Sequence, residues 1–403
     1  MRREPARVVI VGASLTGLRA GQALREQGFS GSLTIIGAEP HLPYDRPPLT
    51  KQFLTSAEPV DLALPGAEDI GAEWVLGRPA VRLTPTERTV TVADGNVVAY
   101  DALLIATGAA AQSLPGHRKP PVGVMTIRNV ENGQQARSRL ETGAPVAVIG
   151  AGFLGSEVAA SAVSQGVSVT LVEAEDQPLA RVAGAAAGRF IAELHRQSGI
   201  DLRTATTVTG FEADARDRLT HVLLSDRSRV RAETALLALG ARPATEWLTG
   251  SGVDISRGVR CDEHLRALTP EGTVIPSVFA AGDVARVPHP LAGGQPLLLG
   301  HWTHANEQGT AAARTILGTQ PLQPFKSVPT FWSDLHGIRL RSVGLPQLAD
   351  DALVLEQDLD SRRLEVTYRH DGQLIGALTI GRTNRLARHR QDLLGAPAML
   401  DPQ

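Results

Sequence analysis

Two glycine arrays carry the chemistry most easily read in this chain. Gly150-x-Gly152-x-x-Gly155 follows the run Val146-Ala147-Val148-Ile149 and opens an alanine-rich stretch of helical character. Gly12-x-Ser14-x-x-Gly17 follows Val8-Val9-Ile10-Val11 in the same way. A dinucleotide's pyrophosphate needs a tight turn, close backbone approach and a helix N-terminus aimed at it. Glycines give the first two, and unpaired N–H groups with the helix dipole give the third. Ser14, standing where the pattern has its middle glycine, is small enough to let the backbone close in. One such array is weak evidence. Two, each between a strand and a helix, leave little room for ordinary tight turns.

The strand after the second array, Val169-Thr170-Leu171-Val172, ends at Glu173, where an adenosine ribose should sit. A carboxylate there accepts hydrogen bonds from a 2′-OH and repels a 2′-phosphate. Glu175 and Asp176 follow, with no basic residue before Arg181. NADH is therefore expected over NADPH. In the first unit Gly37 aligns with Glu173, and Glu39, two residues on, is the remaining ribose candidate.

These cradles need elements to hold them. Each array with its flanking strands, Leu33–Ile36 in the first case, reads as a β-turn-α-β unit, so two parallel-sheet domains are expected. Three further strands end at glycine: Ala102 to Gly108, Ala235 to Gly240 and Val278 to Gly282, the last followed by Asp283. The final 80 or so residues differ. Val328–Val343, Ala352–Asp358, Leu364–Tyr368 and Ile375–Ile380 look like strands, with a hairpin turn at Asp371-Gly372 and a closing helix over Thr383–Leu394. The fold class expected is α/β, with two Rossmann-like domains plus a small C-terminal α+β domain.

Length and composition bound the rest. A chain of 403 residues is too long for one ordinary domain. Lys plus Arg is 40 and Asp plus Glu is 42, a balance without the basic surplus that nucleic acid binding usually needs. The one cysteine, Cys261, excludes a disulfide framework and a Cys-x-x-Cys pair. It fits a reducing, cytoplasmic setting. No signal core follows the N-terminal arginines and no run of eighteen apolar residues occurs, so neither secretion nor a membrane span is expected. The oligomeric state stays open, with a monomer the simpler expectation.

Tyr44-Asp45-Arg46-Pro47-Pro48-Leu49-Thr50-Lys51, Ala106-Thr107-Gly108, Phe279-Ala280-Ala281-Gly282-Asp283-Val284 and Phe331-Trp332-Ser333-Asp334 resemble the NADH-dependent ferredoxin reductases of oxygenase systems. The resemblance runs from Val8 to about Leu394. It implies FAD in the first cradle and NAD in the second. It also implies a division into residues 1–112 (FAD, first part), 113–245 (NAD), 246–322 (FAD, second part) and 323–403 (C-terminal domain). Departures from the family pattern lie at Ser14 and at Ala38, where an acid is frequent.

Carried over residue by residue, the resemblance sets Lys51 beside flavin N5, paired with Glu157, as the catalytic pair. FAD contacts are implied for Gly12, Ser14, Leu15, Thr16, Gly17, Glu39, Arg46, Val81, Thr107, Gly108, Arg128, Gly282, Asp283, His301 and Trp302. NAD contacts are implied for Gly150, Gly152, Phe153, Leu154, Gly155, Glu157, Glu173, Arg181 and Gly240. Trp332 is implied near the flavin where the acceptor docks. His301-Trp302-Thr303 opens a helical stretch, Ala305–Leu317, whose dipole would favour negative charge on the flavin if it faces the ring. His301 and His304 are three residues apart, but no third ligand cluster accompanies them, and no metal is expected.

The implied partner is a small iron–sulfur ferredoxin. Such partners are acidic, and Arg382, Arg385, Arg388 and Arg390, with Arg339 and Arg341, are the candidate docking charges. Rubredoxin as acceptor and a slow NADH-sensing flavoprotein like the apoptosis-inducing-factor relatives remain as alternatives. Thiol-dependent reductases are excluded, because Leu42-Pro43-Tyr44-Asp45 holds no cysteine near the flavin.

Overall fold

The computed structural model describes residues 5–114, 120–318 and 321–395. The Met-Arg-Arg-Glu start and the last eight residues of the C-terminal segment lie outside them.

The apolar runs become the centres of two parallel sheets. Arg7–Val11 lies between Ser32–Ile36 and Ala102–Ile105, parallel to both. Glu73–Val75 extends one edge. At the other, Val274–Ala280 pairs in parallel with Ala102–Ile105, and Arg266–Leu268 closes the sheet antiparallel. This six-stranded sheet is thus built from two separate stretches of chain. Between them the second unit forms its own five-stranded sheet, with Asp201–Arg203, Val169–Val172, Val146–Ile149, Thr234–Leu237 and Val124–Thr126 in spatial order. The two units are joined by the antiparallel pair Ala109–Ala111 and Ala241–Pro243.

Close approach explains the outer glycines of both arrays. A Cβ on Gly155 would fall 1.8 Å from the Gly150 carbonyl oxygen, and one on Gly17 would fall 2.0 Å from that of Gly12. Each cradle helix, Leu15–Glu26 and Phe153–Ser164, can therefore press its first turn on the strand that feeds it. The Trp302–Leu317 helix crosses the first of these at similar range. A Cβ on Gly309 would lie 2.6 Å from the Thr16 carbonyl oxygen, and Thr16 Oγ1 donates to the Ala305 carbonyl at 3.3 Å. This helix starts at Trp302, three residues earlier than expected, so its N-terminus reaches the cavity described below.

The C-terminal segment is a five-stranded antiparallel sheet. One face buries Leu335, Leu364, Val366 and Tyr368 against Leu179, Phe190 and Ile191 of the second unit. The Thr383–Gly395 helix packs on the other. Glu365, 2 % exposed, sits beneath that helix and accepts hydrogen bonds from His389 Nε2 at 2.9 Å and from Arg385. Arg382, just before the helix, is bound by Glu356.

This corrects the proposed docking patch. Arg382 is not on the helix, and Arg382 and Arg385 are spent on acids of neighbouring strands, as Arg339 is on Asp334. Arg388 and Arg390 are exposed and make no ion pair among the described residues. Burial works against charge on Glu365, but the bonds from His389 and Arg385 outweigh it and hold the carboxyl below its usual range. Its contribution to stability is present at neutral pH and is lost as pH falls through that lowered value. Arg385→Ala is expected to lower unfolding free energy by about 2 kcal/mol at pH 7, and by progressively less as pH falls through the lowered value of Glu365. Urea melts at a series of acidic pH values check this.

Candidate active site: a cavity between two cradles

A cavity of about 640 Å³ opens along the C-terminal edge of the first sheet, where open α/β sheets bind ligands. Its wall includes Gly12, Ser14, Leu15, Thr16, Glu39, Arg46, Lys51, Thr107, Gly108, Arg128, Asp283, His301 and Trp302. The second unit contributes Phe153, Leu154 and Glu157 to the same wall, and the C-terminal sheet contributes Phe331 and Trp332.

Lys51, Thr50, Glu157 and Ser333 form the densest polar node. Pro47–Thr50 winds into a single 3₁₀ turn, its φ angles pre-set by the two prolines. Lys51 Nζ then donates to the Pro47 carbonyl at 3.0 Å and to Glu157 Oε2 at 2.8 Å. Thr50 Oγ1 donates to the same Glu157 oxygen at 2.6 Å, and Ser333 Oγ donates to Oε1 at 2.6 Å. Lys51 and Glu157 have side chains 14% and 8% exposed, so water screens the pair weakly. Two chain segments, up to 176 residues from Glu157, meet on its one carboxylate.

At the far end Glu39 accepts from Tyr44 Oη and Arg46. Each carboxylate oxygen keeps a lone pair for a further donor such as a ribose hydroxyl. Arg46 also donates to the Arg128 carbonyl at 2.7 Å. Arg128 lies 3.8 Å from Asp283. Burial pushes the Asp283 carboxyl up from its ordinary value, while Arg128 and Arg46 pull it back. The loop carrying Asp283 is fixed from behind. Gln308 Oε1 accepts the Gly282 N–H at 2.7 Å, and its amide nitrogen lies 3.0 Å from His304 Nε2, whose ring reaches Ser327 Oγ at 3.1 Å.

Aromatic rings line the middle of the cavity. Trp302 Nε1 donates to Asp45 at 2.7 Å, and its ring lies 6.0 Å from that of Trp332, edge to face. Phe331 packs on Phe153 at 4.6 Å and on His301 at 4.9 Å. Burial lowers His301 to about 4, so the ring is neutral, and its Nδ1 is buried without a hydrogen-bond partner.

The remaining expected residues fall elsewhere. Gly17 and Gly282 are packed behind the wall, where a Cβ on Gly282 would meet Thr16 Oγ1 at 2.4 Å. Val81 is 49% exposed and lies beside the cavity wall, which its neighbours Pro79 and Ala80 line. Gly240 lies at the junction of the two units, its carbonyl accepting the Gln112 N–H. Gly150, Gly152, Gly155 and Glu173 form the second cradle, outside this cavity. Glu173 Oε2 accepts the Ala151 N–H at 2.6 Å and Oε1 the Glu175 N–H at 3.0 Å. Arg181, largely exposed, is bound by Glu175. Tyr44, Asp45, Thr50 and Ser333 were not singled out as site residues. The first three lie within the quoted Tyr44–Lys51 stretch and the last within Phe331–Asp334, which was the available signal.

These groups fit the two dinucleotides. Ser14 caps the first cradle helix without spending its side chain. A Cβ on Gly152 would meet nothing within 4 Å, so that glycine is not required by packing and leaves room over the helix N-terminus. The orphan His301 nitrogen and the Arg46–Arg128–Asp283 group offer polar partners along the cavity.

Residues 6–309 match the family model described as pyridine nucleotide-disulphide oxidoreductase, and residues 330–403 match the reductase C-terminal model. The chain is 36% identical over 400 residues to a ferredoxin–NAD(P)+ reductase of Sphingomonas sp, covering 98% of this chain and 94% of that one. It is 35% identical over 340 residues to the ferredoxin reductase component of chlorobenzene dioxygenase from Cupriavidus sp. (strain PS12), covering 84% and 80%. In three dimensions it resembles a chain of the covalent putidaredoxin reductase–putidaredoxin complex, with TM-score 0.89, 28% identity and coverage of 97% and 93%. On these matches the chain belongs to the pyridine nucleotide-disulphide oxidoreductase family, with a reductase C-terminal domain.

Proposed function

We propose that this chain takes hydride from NADH on to bound FAD and passes the electrons singly to a small iron–sulfur ferredoxin that serves an oxygenase. The observation that carries the reading is a cavity at the first cradle that the start of the second cradle's helix helps to wall, with the Lys51–Glu157 node and two tryptophans on it and no thiol. The single cysteine, Cys261, is 1% exposed in the core of the first domain, and burial pushes its thiol well above the usual range. Electrons therefore have no dithiol to leave by, and the named relatives hand theirs to ferredoxins.

FAD, when bound, supplies the conversion of a two-electron hydride into single electrons. The chain's own residues do the positioning. Lys51 holds a cation in the wall, kept from turning away by Glu157 and the Pro47 carbonyl. Glu39, Arg46, Arg128 and Asp283 hold the dinucleotide's polar parts. Glu173 takes the ribose hydroxyls of NADH, and the Glu175–Arg181 pair leaves no free cation for a 2′-phosphate. We further propose the division at residues 112, 245 and 322, and a cytoplasmic setting for the single thiol. Among the described residues no helix is long and apolar enough to cross a membrane. Arg388 and Arg390, with Arg341, are what remains of the candidate docking charges for an acidic partner.

The test is rapid mixing with NADH, then reoxidation by a two-iron ferredoxin. Fast reduction and fast ferredoxin-dependent cytochrome c reduction support the reading; a long-lived reduced state that ferredoxin does not discharge overturns it. Glu173→Ala is expected to raise the Kd for NADH about tenfold, the loss of roughly 1.4 kcal/mol, and to narrow the preference over NADPH. Unchanged binding of both nucleotides would show that this carboxylate does not reach the ribose.

A further inference from the structure

The C-terminal sheet reaches the second cradle through two histidines. His195, on the Ala180–Gln197 helix, is fully buried. Its Nε2 lies 3.1 Å from Ser156 Oγ, and its Nδ1 lies 2.8 Å from Nε2 of His336. His336 sits at the tip of the hairpin between the Thr330–Leu335 and Ile338–Gly344 strands, with φ of 50°. Its carbonyl is held by Arg362 at 2.7 Å. Ser156 Oγ in turn lies 3.4 Å from the carbonyl oxygen of Ala151, between Gly150 and Gly152.

One set of directions makes all three bonds at once. The Ala151 carbonyl can only accept, so the Ser156 hydroxyl donates to it. Ser156 Oγ then accepts from His195 Nε2–H, which leaves His195 Nδ1 bare to accept from His336 Nε2–H. The chain runs one way, from hairpin tip to phosphate loop. It requires both rings neutral, and burial holds them so, at about 3 for His195 and about 4 for His336. The same carbonyl takes the Leu179 N–H at 3.0 Å, while the Ala151 N–H is held by Glu173. Every polar group of Ala151 is thus fixed by residues that leave the next N–H groups, at the start of the Phe153–Ser164 helix, unpaired.

We propose that His336 and His195 are positioning residues for the nicotinamide dinucleotide: through Ser156 they hold the Gly150–Gly152 loop in register, so that the C-terminal domain sets nucleotide affinity without touching the nucleotide. The proposal rests on seating NADH at that loop. It assigns a purpose to a hairpin that lies on the domain proposed to meet the electron acceptor.

The test is calorimetric titration of the FAD-loaded enzyme with NAD+, alongside steady-state kinetics. His336→Ala is expected to weaken NAD+ binding roughly five- to tenfold, raising KM for NADH with kcat and FAD content unchanged. His336→Gln, whose amide can still donate to His195, is expected to restore most of the affinity. Ser156→Ala should match His336→Ala. Unchanged NAD+ affinity in both alanine variants overturns the proposal. So does failure of His336→Gln to restore what His336→Ala lost, which would reduce the hairpin to packing. Gly152→Ala separates the two readings: if it too leaves NAD+ binding unchanged, the seat of the nucleotide is wrong; if it weakens binding while the histidine and serine variants do not, the relay alone fails.

Discussion

Replacement of Lys51 by Met is expected to slow flavin reduction at saturating NADH by about 10²- to 10³-fold, the range for loss of one preorganised charge-stabilising group. The argument rests on how little freedom that ammonium has. It is tied to a main-chain carbonyl and to a carboxylate that two hydroxyls also hold, so its orientation costs nothing at the moment of reaction. Glu157→Leu should be nearly as slow and also less stable. It leaves the ammonium, Thr50 and Ser333 without their shared acceptor, and breaking a buried pair from one side costs about 3–5 kcal/mol. Glu157→Gln keeps an oxygen for Lys51 and Thr50 and turns its amide to Ser333, whose hydroxyl can accept, so its effect should be much smaller. The double variant Lys51→Met with Glu157→Leu should be little slower than either single one, because the residues act as a unit. Absorbance at the flavin band after rapid mixing reads all four. A rate within threefold of the parent for Lys51→Met would show that the lysine is structural.

Two alanines placed three residues apart should fail in opposite ways. Gly155→Ala sets a methyl 1.8 Å from the Gly150 carbonyl oxygen, a backbone atom that cannot swing aside. The helix must lift from its strand, at a cost of about 3 kcal/mol, and the loop it carries moves with it. Low yield, an early melt and loss of NADH reactivity are expected together. Gly152→Ala meets no protein atom within 4 Å, and its φ of −70° suits any residue. Its stability should stay within about 0.5 kcal/mol of the parent. The methyl instead fills the space where a pyrophosphate must approach, and NADH affinity should fall ten- to a hundredfold, roughly 1.4–2.8 kcal/mol. Melting curves and NAD+ titrations on the pair distinguish packing from binding; equal melts for the two variants would contradict the geometry.

The cradles were legible because their spacing is set within a dozen residues of backbone: strand, turn, helix. The Lys51–Glu157 pair was legible only through the likeness of the Tyr44–Lys51 stretch to a family. What joins them was not. Ser333 and Thr50 reach Glu157 across 176 and 107 residues, and no periodicity encodes a hydroxyl's partner at that distance. Asp45 is in the same position, since its partner Trp302 lies 257 residues away. The arginine patch failed for a related reason. Whether Arg382 and Arg385 are free depends on Glu356 and Glu365, which the sheet register brings beneath them.

The strand that completes the first sheet has a temporal cost. Ala102–Ile105 leaves the ribosome with one edge unpaired, and its partner Val274–Ala280 follows some 170 residues later. At the usual pace of synthesis that is on the order of ten to thirty seconds. Throughout that interval a nascent chain carries an apolar, parallel-competent edge with nothing to cover it, the kind of surface that invites pairing with neighbours. The second unit, whose five strands lie within one unbroken stretch, can close first. Chaperone demand is therefore expected to peak while the segment between residues 105 and 274 is being made.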